Sequence, residues 1–240
     1  MDKRIDDQSL LEMDRRGLLK AAGVAGALAA GGVLASASAG AQDASYVLEQ
    51  VGDCVPLQPL SGDQPVETFY DYKEHDTRYS AVGMERLQRE STSLLFLYRG
   101  PKGLSLVMEH DKRQKEDTPD GGGGSVSFDI TGLPTDGSWV VTDDMYDGPR
   151  NVDRWNLDGS EAKIDWTWVG GRTDGGAYRG LGSDADIVIR PAFNEQAALY
   201  GKFYPGDVKH WQALSGDVSD PDRTELQMDE PVTIHAGSCG

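Results

Sequence analysis

The densest group of side chains that could do chemistry lies between residues 142 and 159, in the stretch TDDMYDGPRNVDRWNLDG. Its candidate oxygen ligands are Asp143, Asp144, Asp147, Asn151, Asp153 and Asp158. Calcium takes about six to eight such oxygen atoms, and a turn-rich loop can wrap them around the ion. The spacing differs from that of an EF-hand. Because the chain contains 28 aspartates, the sequence favours a solvated acidic loop, with a calcium site as the second interpretation.

Two neighbouring segments offer side chains that could contact an organic ligand. Trp155 lies in the same polar stretch, which makes it the best candidate for an exposed aromatic ring. The segment GGRTDGGAYRG, residues 170–180, holds Arg172 and Asp174 between glycines. Such a loop can gate a site, although a hairpin tip is the commoner meaning of this composition. These three residues are the candidate ligand contacts.

No organised catalytic set stands out in the sequence. There is neither a G-x-S-x-G nucleophile elbow nor an H-E-x-x-H helix, and the four histidines are scattered. The triplet Glu109-His110-Asp111 sets carboxylates beside an imidazole, but neighbours on a strand point to opposite faces. We therefore interpret the triplet as a surface group and assign no catalytic residue.

The alternative is a secreted hydrolase acting on glycans, a reaction for which two carboxylates at a set separation suffice. Its acids would be among Asp165, Asp174 and Glu161, with Trp155 and Trp166 beside the sugar. Trp166 belongs to an alternating apolar pattern, which more often builds a core than a sugar-stacking surface. The non-catalytic interpretation therefore leads.

Strands must position these candidates, because the hydrophobic period along the chain is mostly two. Residues 93–98 and 104–109 predict a hairpin joined by the five-residue loop RGPKG. Further short apolar runs follow at near-regular spacing, separated by Gly, Pro and Asp turns. This pattern is typical of an all-β fold, an antiparallel β-sandwich that is Ig-like or jelly-roll-like.

One short helix is predicted near residues 194–200, between two of the strands. Asn194 is the expected N-cap, and Gly201 fits the position after the last helical residue.

The two cysteines, Cys54 and Cys239, predict a disulfide. Such a bridge requires the first and last strands of the domain to lie side by side or face each other. Cys239 is followed only by Gly240, so the Cys-His-Met arrangement of a copper-binding sandwich cannot be built in the usual way.

The N-terminal segment indicates export. Arg15 and Arg16 precede two apolar residues and Lys20, and an Ala- and Gly-rich run continues to residue 41. This arrangement resembles the twin-arginine export signal, with cleavage sites of the A-x-A type after residue 39 or 41. The resemblance implies a signal peptide over 1–41 and an exported, single β-sandwich domain over 42–240. A retained membrane anchor and an Ala-rich core helix are the other interpretations, but small residues make a weak membrane span.

The net charge of −17 falls entirely on residues 42–240, which contain only seven lysines. Acids spread along the chain in this way resemble haloadapted, haloarchaeal-like secreted proteins. Molar salt shortens the Debye length to about 3 Å and screens the repulsion between the acids. Nucleic acid and anionic lipid are poor partners for such a surface. The sequence predicts an extracellular or cell-surface binding or structural module whose partner is an extracellular ligand or surface component.

Overall fold

The computed structural model describes residues 45–75, 78–114, 123–145, 153–201 and 206–240. The strands in these ranges are β1 (Tyr46–Gln50), β2 (Asp53–Pro56), β3 (Leu60–Ser61), β4 (Tyr72–His75), β5 (Arg78–Ala81), β6 (Thr92–Gly100), β7 (Gly103–His110), β8 (Gly123–Thr131), β9 (Ser138–Thr142), β10 (Arg154–Asp158), β11 (Glu161–Val169), β12 (Asp174–Leu181), β13 (Asp186–Phe193), β14 (His210–Ser215), β15 (Asp222–Leu226) and β16 (Val232–Ala236). The α-helix is α1 (Val66–Tyr70), and two 3-10 turns span Val82–Met84 and Asn194–Gln196.

Two large sheets carry most of the strands. Sheet A has the order β10-β11-β8-β13-β16-β1-β2, and sheet B has the order β15-β14-β6-β7-β12-β9, with β3 paired to β6. Neighbouring strands are antiparallel, except that β14 and β3 run parallel to β6. β4 and β5 form a separate two-stranded ladder. The predicted all-β sandwich is confirmed, with two parallel pairings in an otherwise antiparallel arrangement.

The main hydrophobic core lies between the two sheets. Alternate residues of β6, β7, β8 and β11 point into it, among them Leu95, Leu97, Leu106, Met108, Val126, Phe128, Ile164 and Trp166. Trp166 is fully buried and meets Phe128 edge to face, with ring centroids 5.6 Å apart. The prediction that Trp166 belongs to the core is confirmed.

A second hydrophobic core covers the outer face of sheet B. Leu94, Phe96 and Val107, which have the opposite parity on β6 and β7, pack under α1 and residues 81–87. Phe69 of α1 stacks on Tyr98, with ring centroids 4.2 Å apart. We call α1 and residues 72–75 and 78–91 the outer layer. Because of this layer, residues of either parity on β7 and β12 can be buried.

The predicted hairpin is formed by β6 and β7, but its turn is tighter than expected. Gly100 lies opposite Gly103, so the turn consists of Pro101 and Lys102 alone. Gly103 has a φ of 113°, a conformation that glycine adopts without strain. The ladder therefore extends into the segment that composition alone assigns to a loop.

The helix predicted near 194–200 is a single 3-10 turn, Asn194–Gln196. Asn194 has a φ of 54°, and its side chain exchanges two 2.8 Å hydrogen bonds with the backbone of Val208. A side chain engaged with a distant backbone does not cap a helix. The short α-helix lies instead at Val66–Tyr70, in the outer layer.

The predicted disulfide joins Cys54 to Cys239, whose Cα atoms are 5.6 Å apart. Cys54 lies on β2 and Cys239 follows β16, and these two strands flank β1. The bridge therefore closes one edge of sheet A. The predicted signal peptide over 1–41 lies outside the described residues. Within the described ranges, no helix is long and apolar enough to cross a membrane.

Candidate functional site

Four aspartates gather at the edges of the two sheets opposite the disulfide. Asp143 and Asp144 directly follow β9, the edge strand of sheet B. Asp153 directly precedes β10, the edge strand of sheet A, and Asp174 is the first residue of β12. They lie close together, since the charges of Asp144 and Asp153 act on Asp143 and those of Asp143, Asp144 and Asp153 act on Asp174. We call these four residues the acidic edge.

Asp143 is held by one backbone bond and one tyrosine. Its N–H donates to the carbonyl of Gly175 at 3.3 Å, which extends the pairing of β9 with β12 by one residue. The hydroxyl of Tyr70 donates to Asp143 Oδ2 at 3.0 Å. Oδ1 has no hydrogen-bond partner among the described residues, although only 1% of Asp143 is exposed. Burial, reinforced by Asp144, raises the pKa of Asp143 well above its ordinary value.

Asp144 is held by a second tyrosine of the outer layer. Tyr72 on β4 donates its hydroxyl to Asp144 Oδ1, and the Asp144 N–H donates back to the same hydroxyl at 3.3 Å. Burial, followed by the charge of Asp143, raises the pKa of Tyr72. The hydroxyl therefore keeps its proton and remains a donor. The two tyrosines cover the acidic edge from the outer layer.

Asp153 and Asp174 form the other half of the acidic edge. The N–H of Gly175 donates to Asp174 Oδ1 at 2.8 Å, and the carboxyl groups of Asp153 and Asp174 are hydrogen-bonded to each other. Asp153 Oδ1 accepts the N–H of Thr167 at 3.0 Å. Burial raises the pKa of Asp153 to about 8. Burial, with Asp153 as the next cause, raises the pKa of Asp174.

This arrangement has the chemistry of a hard-cation site or of carboxyl groups that keep protons. Carboxylates so close together and so far from water cost free energy unless a proton or a cation neutralises them. The candidate ligands are all oxygen atoms, a donor set that suits Ca²⁺ better than Zn²⁺ or Cu²⁺. Among the described residues, no three His, Cys, Asp or Glu side chains are already placed to hold a metal ion. Binding would therefore require the carboxylates to rotate towards the ion.

The structure brings together three of the six predicted calcium ligands, Asp143, Asp144 and Asp153. Asp158 is exposed at the far end of β10, opposite Glu161. Asp147 and Asn151 lie outside the described residues. Asp174, predicted as a ligand contact in its glycine-rich segment, joins the cluster in place of Asp158. The calcium site itself stays a prediction.

Trp155 lies on β10 rather than in a loop, and it is half-buried. Its ring meets Trp139 and Trp166 edge to face, with centroid distances of 5.2 and 5.6 Å. It therefore closes the main core beside the acidic edge. Arg172 is half-buried in the turn before β12, where its N–H donates to the carbonyl of Val169 at 3.2 Å. A role for either residue as a ligand contact stays a prediction.

Of the three acids considered for a hydrolase, two lie at or near the acidic edge and Glu161 does not. Glu161 is exposed at the start of β11, and Asp174 lies at the acidic edge. Asp165 is buried and accepts a 2.7 Å hydrogen bond from Ser127 Oγ. Its charge contributes to the raised pKa of Asp153, so it lies near the acidic edge on sheet A.

The triplet Glu109-His110-Asp111 is buried, which corrects the expectation of a surface group. As predicted, Glu109 and His110 point to opposite faces of sheet B. Glu109 lies under the outer layer, whereas His110 stacks on Trp168 in the main core, with ring centroids 5.3 Å apart. His110 Nδ1 lies 2.9 Å from Ser93 Oγ. Both side chains are fully buried, so a substrate cannot reach this serine–histidine pair.

Sequence reasoning missed Tyr70, Tyr72 and Glu109. The tyrosines precede Asp143 by about seventy residues, and no spacing rule connects the two segments. Glu109 does carry a signal, because it follows Leu104-Ser-Leu-Val-Met, a run with apolar residues of both parities. Such a run is typical of a strand that is covered on both faces.

Comparison with protein-family models, with curated proteins and with solved structures finds no match to this chain. The function therefore has to be argued from the acidic edge and its surroundings.

Proposed function

We propose that this chain is an exported, haloadapted and non-catalytic β-sandwich module that binds calcium at the acidic edge. One observation carries the proposal. Asp143 Oδ1 is a buried carboxyl oxygen atom without a hydrogen-bond partner among the described residues, and the neighbouring carboxyl groups raise the pKa values of both Asp143 and Asp174. A buried polar atom without a partner costs about 1–3 kcal/mol, and a bound cation would recover that cost.

The proposed ligands come from three separate places in the chain. Asp143 and Asp144 follow β9 of sheet B, and Asp153 directly precedes β10 of sheet A. Asp174 is the first residue of β12, the neighbour of β9 in sheet B. A cation held by all four would join the edges of the two sheets. Because the ligands meet only in the folded chain, calcium would bind the folded state and stabilise it.

Export is the second part of the proposal. The twin-arginine-like N-terminus supports it, and so does the disulfide, because disulfides persist in oxidising compartments outside the cytosol. The net charge of −17 supports adaptation to high salt. The partner of such a module would be an extracellular ligand or surface component.

Thermal unfolding of the full chain in molar KCl tests the calcium site. We expect calcium, but not equal magnesium, to raise the melting temperature relative to a chelator. At a hundredfold excess of calcium over Kd the gain is about 2.7 kcal/mol. For a domain of this size that corresponds to a shift of about 5–10 °C.

Two matched variants locate the effect. Asp174→Asn should remove most of the calcium-dependent shift, because it takes one carboxylate from the acidic edge. Asp158→Asn removes an acid of the same segment that the structure places at the far end of β10, so the shift should remain. A wild-type chain that melts at the same temperature with calcium and with chelator would contradict the proposal.

The hydrolase alternative has one observation in its favour. Burial raises the pKa of Asp153 to about 8, and a carboxyl group that keeps its proton at neutral pH can act as a general acid. The same burial leaves little room for a sugar, since Asp174 is 1% exposed and Trp166 is fully buried. Release of reducing ends from polysaccharides, abolished by Asp153→Asn, would favour this alternative over the binding module.

A further inference from the structure

The free edge of β10 has the features of a strand that pairs with another chain. Sheet A ends at β10, whose partner among the described residues is β11 alone. At the opposite edge of the sheet, β2 ends in Pro56 and carries the disulfide at Cys54, which both protect an edge from further pairing. β10 has neither a proline, a lysine nor a bulge. A regular edge of this kind is a template for a second strand.

The turn after β10 determines which of its backbone groups are free. Two residues join β10 to β11, and Asp158 lies opposite Glu161 at the base of this turn. A turn of this length hydrogen-bonds its closing pair, so Asp158 points its N–H and C=O groups towards β11. Because these directions alternate along a strand, Trp155 and Leu157 point theirs away from β11. The outer edge therefore offers two N–H and two C=O groups.

The side chains of β10 complement a second copy of the same strand. In an antiparallel pair centred on Asn156, Arg154 of each copy lies opposite Asp158 of the other. Trp155 lies opposite Leu157 in the same register, and these two residues carry the free backbone groups. The copies are then related by a two-fold axis, so each of these contacts occurs twice.

The charges on the outer face of sheet A favour this register. Asp158 lies opposite Glu161 within the chain, and both residues are exposed. Like charges directly opposite each other destabilise a sheet. The Arg154 side chain is 49% exposed and lies 4.0 Å from Asp165. In the paired strands it would lie between Asp165 of its own chain and Asp158 of the other copy.

Leu157 leaves apolar surface exposed at the same edge. It is 41% exposed, although Ala162, its neighbour across the ladder, belongs to the main core. A cavity of about 490 Å³ lies along this edge, with Trp155, Leu157 and Ala162 among its lining residues. A second copy of β10 would cover Leu157 and remove this apolar surface from water.

We infer that two copies of this chain associate through β10, which pairs antiparallel with β10 of the second copy about Asn156. The pairing joins two seven-stranded sheets into one continuous sheet. The net charge of −17 on each copy opposes association in dilute buffer, and molar salt screens that repulsion. A ladder of five residues forms a small interface, so association depends on protein concentration. The inference does not depend on calcium binding, because the pairing uses no residue of the acidic edge.

Sedimentation equilibrium of the full chain tests this inference, in molar KCl with chelator and at protein concentrations up to about 1 mM. We expect the wild type to form dimers. Arg154→Asp and Asp158→Arg each place like charges opposite each other twice in the dimer, and each should weaken association about tenfold or more. The double variant restores the two opposite-charge pairs and should regain most of the association.

Asp220→Arg is the matched control for the charge reversals. Asp220 is exposed in the turn between β14 and β15, and β15 lies at the edge of sheet B opposite β9. Because Trp139 of β9 contacts Trp155 of β10, this turn lies on the other side of the sandwich from the proposed interface. Asp220→Arg should therefore dimerise like the wild type.

A cysteine at the two-fold axis tests the register. Asn156 of each copy would face Asn156 of the other at a position without backbone hydrogen bonds, where Cα atoms are about 4.5 Å apart. A disulfide can span that distance, and the two native cysteines are already joined to each other. Oxidation of Asn156→Cys should therefore give a covalent dimer on a non-reducing gel. In Asp129→Cys the thiol lies in the same row but two strands further in, so the thiols of two copies are about 24 Å apart and should not cross-link.

Three results would overturn the inference. They are a wild type that stays monomeric up to about 1 mM, charge-reversed single variants that dimerise like the wild type, and a double variant that associates no better than the single ones. Dimers of Asn156→Cys that do not cross-link would overturn the register about Asn156. Because chelator is present throughout, none of these results bears on the calcium site, and a chain that binds no calcium should still dimerise.

Discussion

His110 holds a neutral imidazole inside the main core, where its ring contacts Phe128, Trp166 and Trp168. Nδ1 pairs with the Ser93 hydroxyl, and Nε2 has no hydrogen-bond partner in the described part of the chain. A proton at Nε2 would place a charge among aromatic rings and out of water, so burial lowers the pKa of His110 to about 3. A single buried side chain therefore links stability to pH.

The sign of that link follows from the two pKa values. In the unfolded chain the pKa of this histidine is about 6.5, so between about pH 3 and 6.5 only the unfolded chain binds the proton. The stabilising contribution is present above that range, and it falls by about 1.4 kcal/mol per pH unit as the pH drops through it. We expect His110→Gln to lose less stability than the wild type on acidification. Denaturant unfolding of both chains at several pH values measures this, and parallel curves would contradict it.

Three of the four residues of the acidic edge could be predicted from local sequence. Asp143, Asp144 and Asp153 lie within eleven residues of each other, and their density marks the segment. Asp174 lies beside them only because β12 pairs with β9. Tyr70 contacts Asp143 only because the outer layer covers sheet B. Neither pairing leaves a trace in the spacing of residues. Composition also could not distinguish Asp143, 1% exposed, from the exposed Asp158.

At the scale of elements, the period of two identifies the strands but not what covers them. The run Leu94–Tyr98 has apolar residues of both parities, and these divide between the main core and the core under the outer layer. The layer itself could not be located by helical periodicity, because α1 has only five residues. The predicted helix near 194–200 had acceptable caps, yet the Asn194 side chain bonds to Val208 instead.

Two glycines with positive φ at the ends of strands offer a matched test of how closely neighbouring strands approach. Gly132 follows β8 with a φ of 81°, and a Cβ there would lie 1.9 Å from the carbonyl oxygen of Asp186. Gly159, between β10 and β11, has a φ of 57° and no atom within 4 Å of such a Cβ. Gly159→Ala should cost about 1–2 kcal/mol from backbone strain alone. Gly132→Ala should cost about 1–3 kcal/mol more, because it adds a steric clash.

Denaturant unfolding of the two glycine variants measures the difference. Equal losses of stability would show that β8 and β13 separate easily at this end, contrary to the close contact described.

At the scale of the whole molecule, the net charge of −17 sets the dependence on salt. Repulsion among exposed acids is long-ranged in dilute buffer and largely screened in molar salt. We expect the melting temperature, measured with chelator present, to rise steeply as KCl increases from about 0.1 to about 3 M. The triple variant Asp220→Asn, Asp222→Asn, Asp229→Asn removes three exposed acids and should show a shallower rise. A wild-type melting temperature that does not change with KCl would contradict this account of the surface.

The bond between Cys54 and Cys239 also gives the molecule the topology of a closed ring. All the strands from β3 to β16 lie on the arc of chain between the two cysteines. One peptide bond cut by a protease anywhere on that arc opens the ring without dividing it, and both pieces stay covalently joined. A protease must therefore cut this arc twice, or act together with a reductant, before any strand from β3 to β16 can be released.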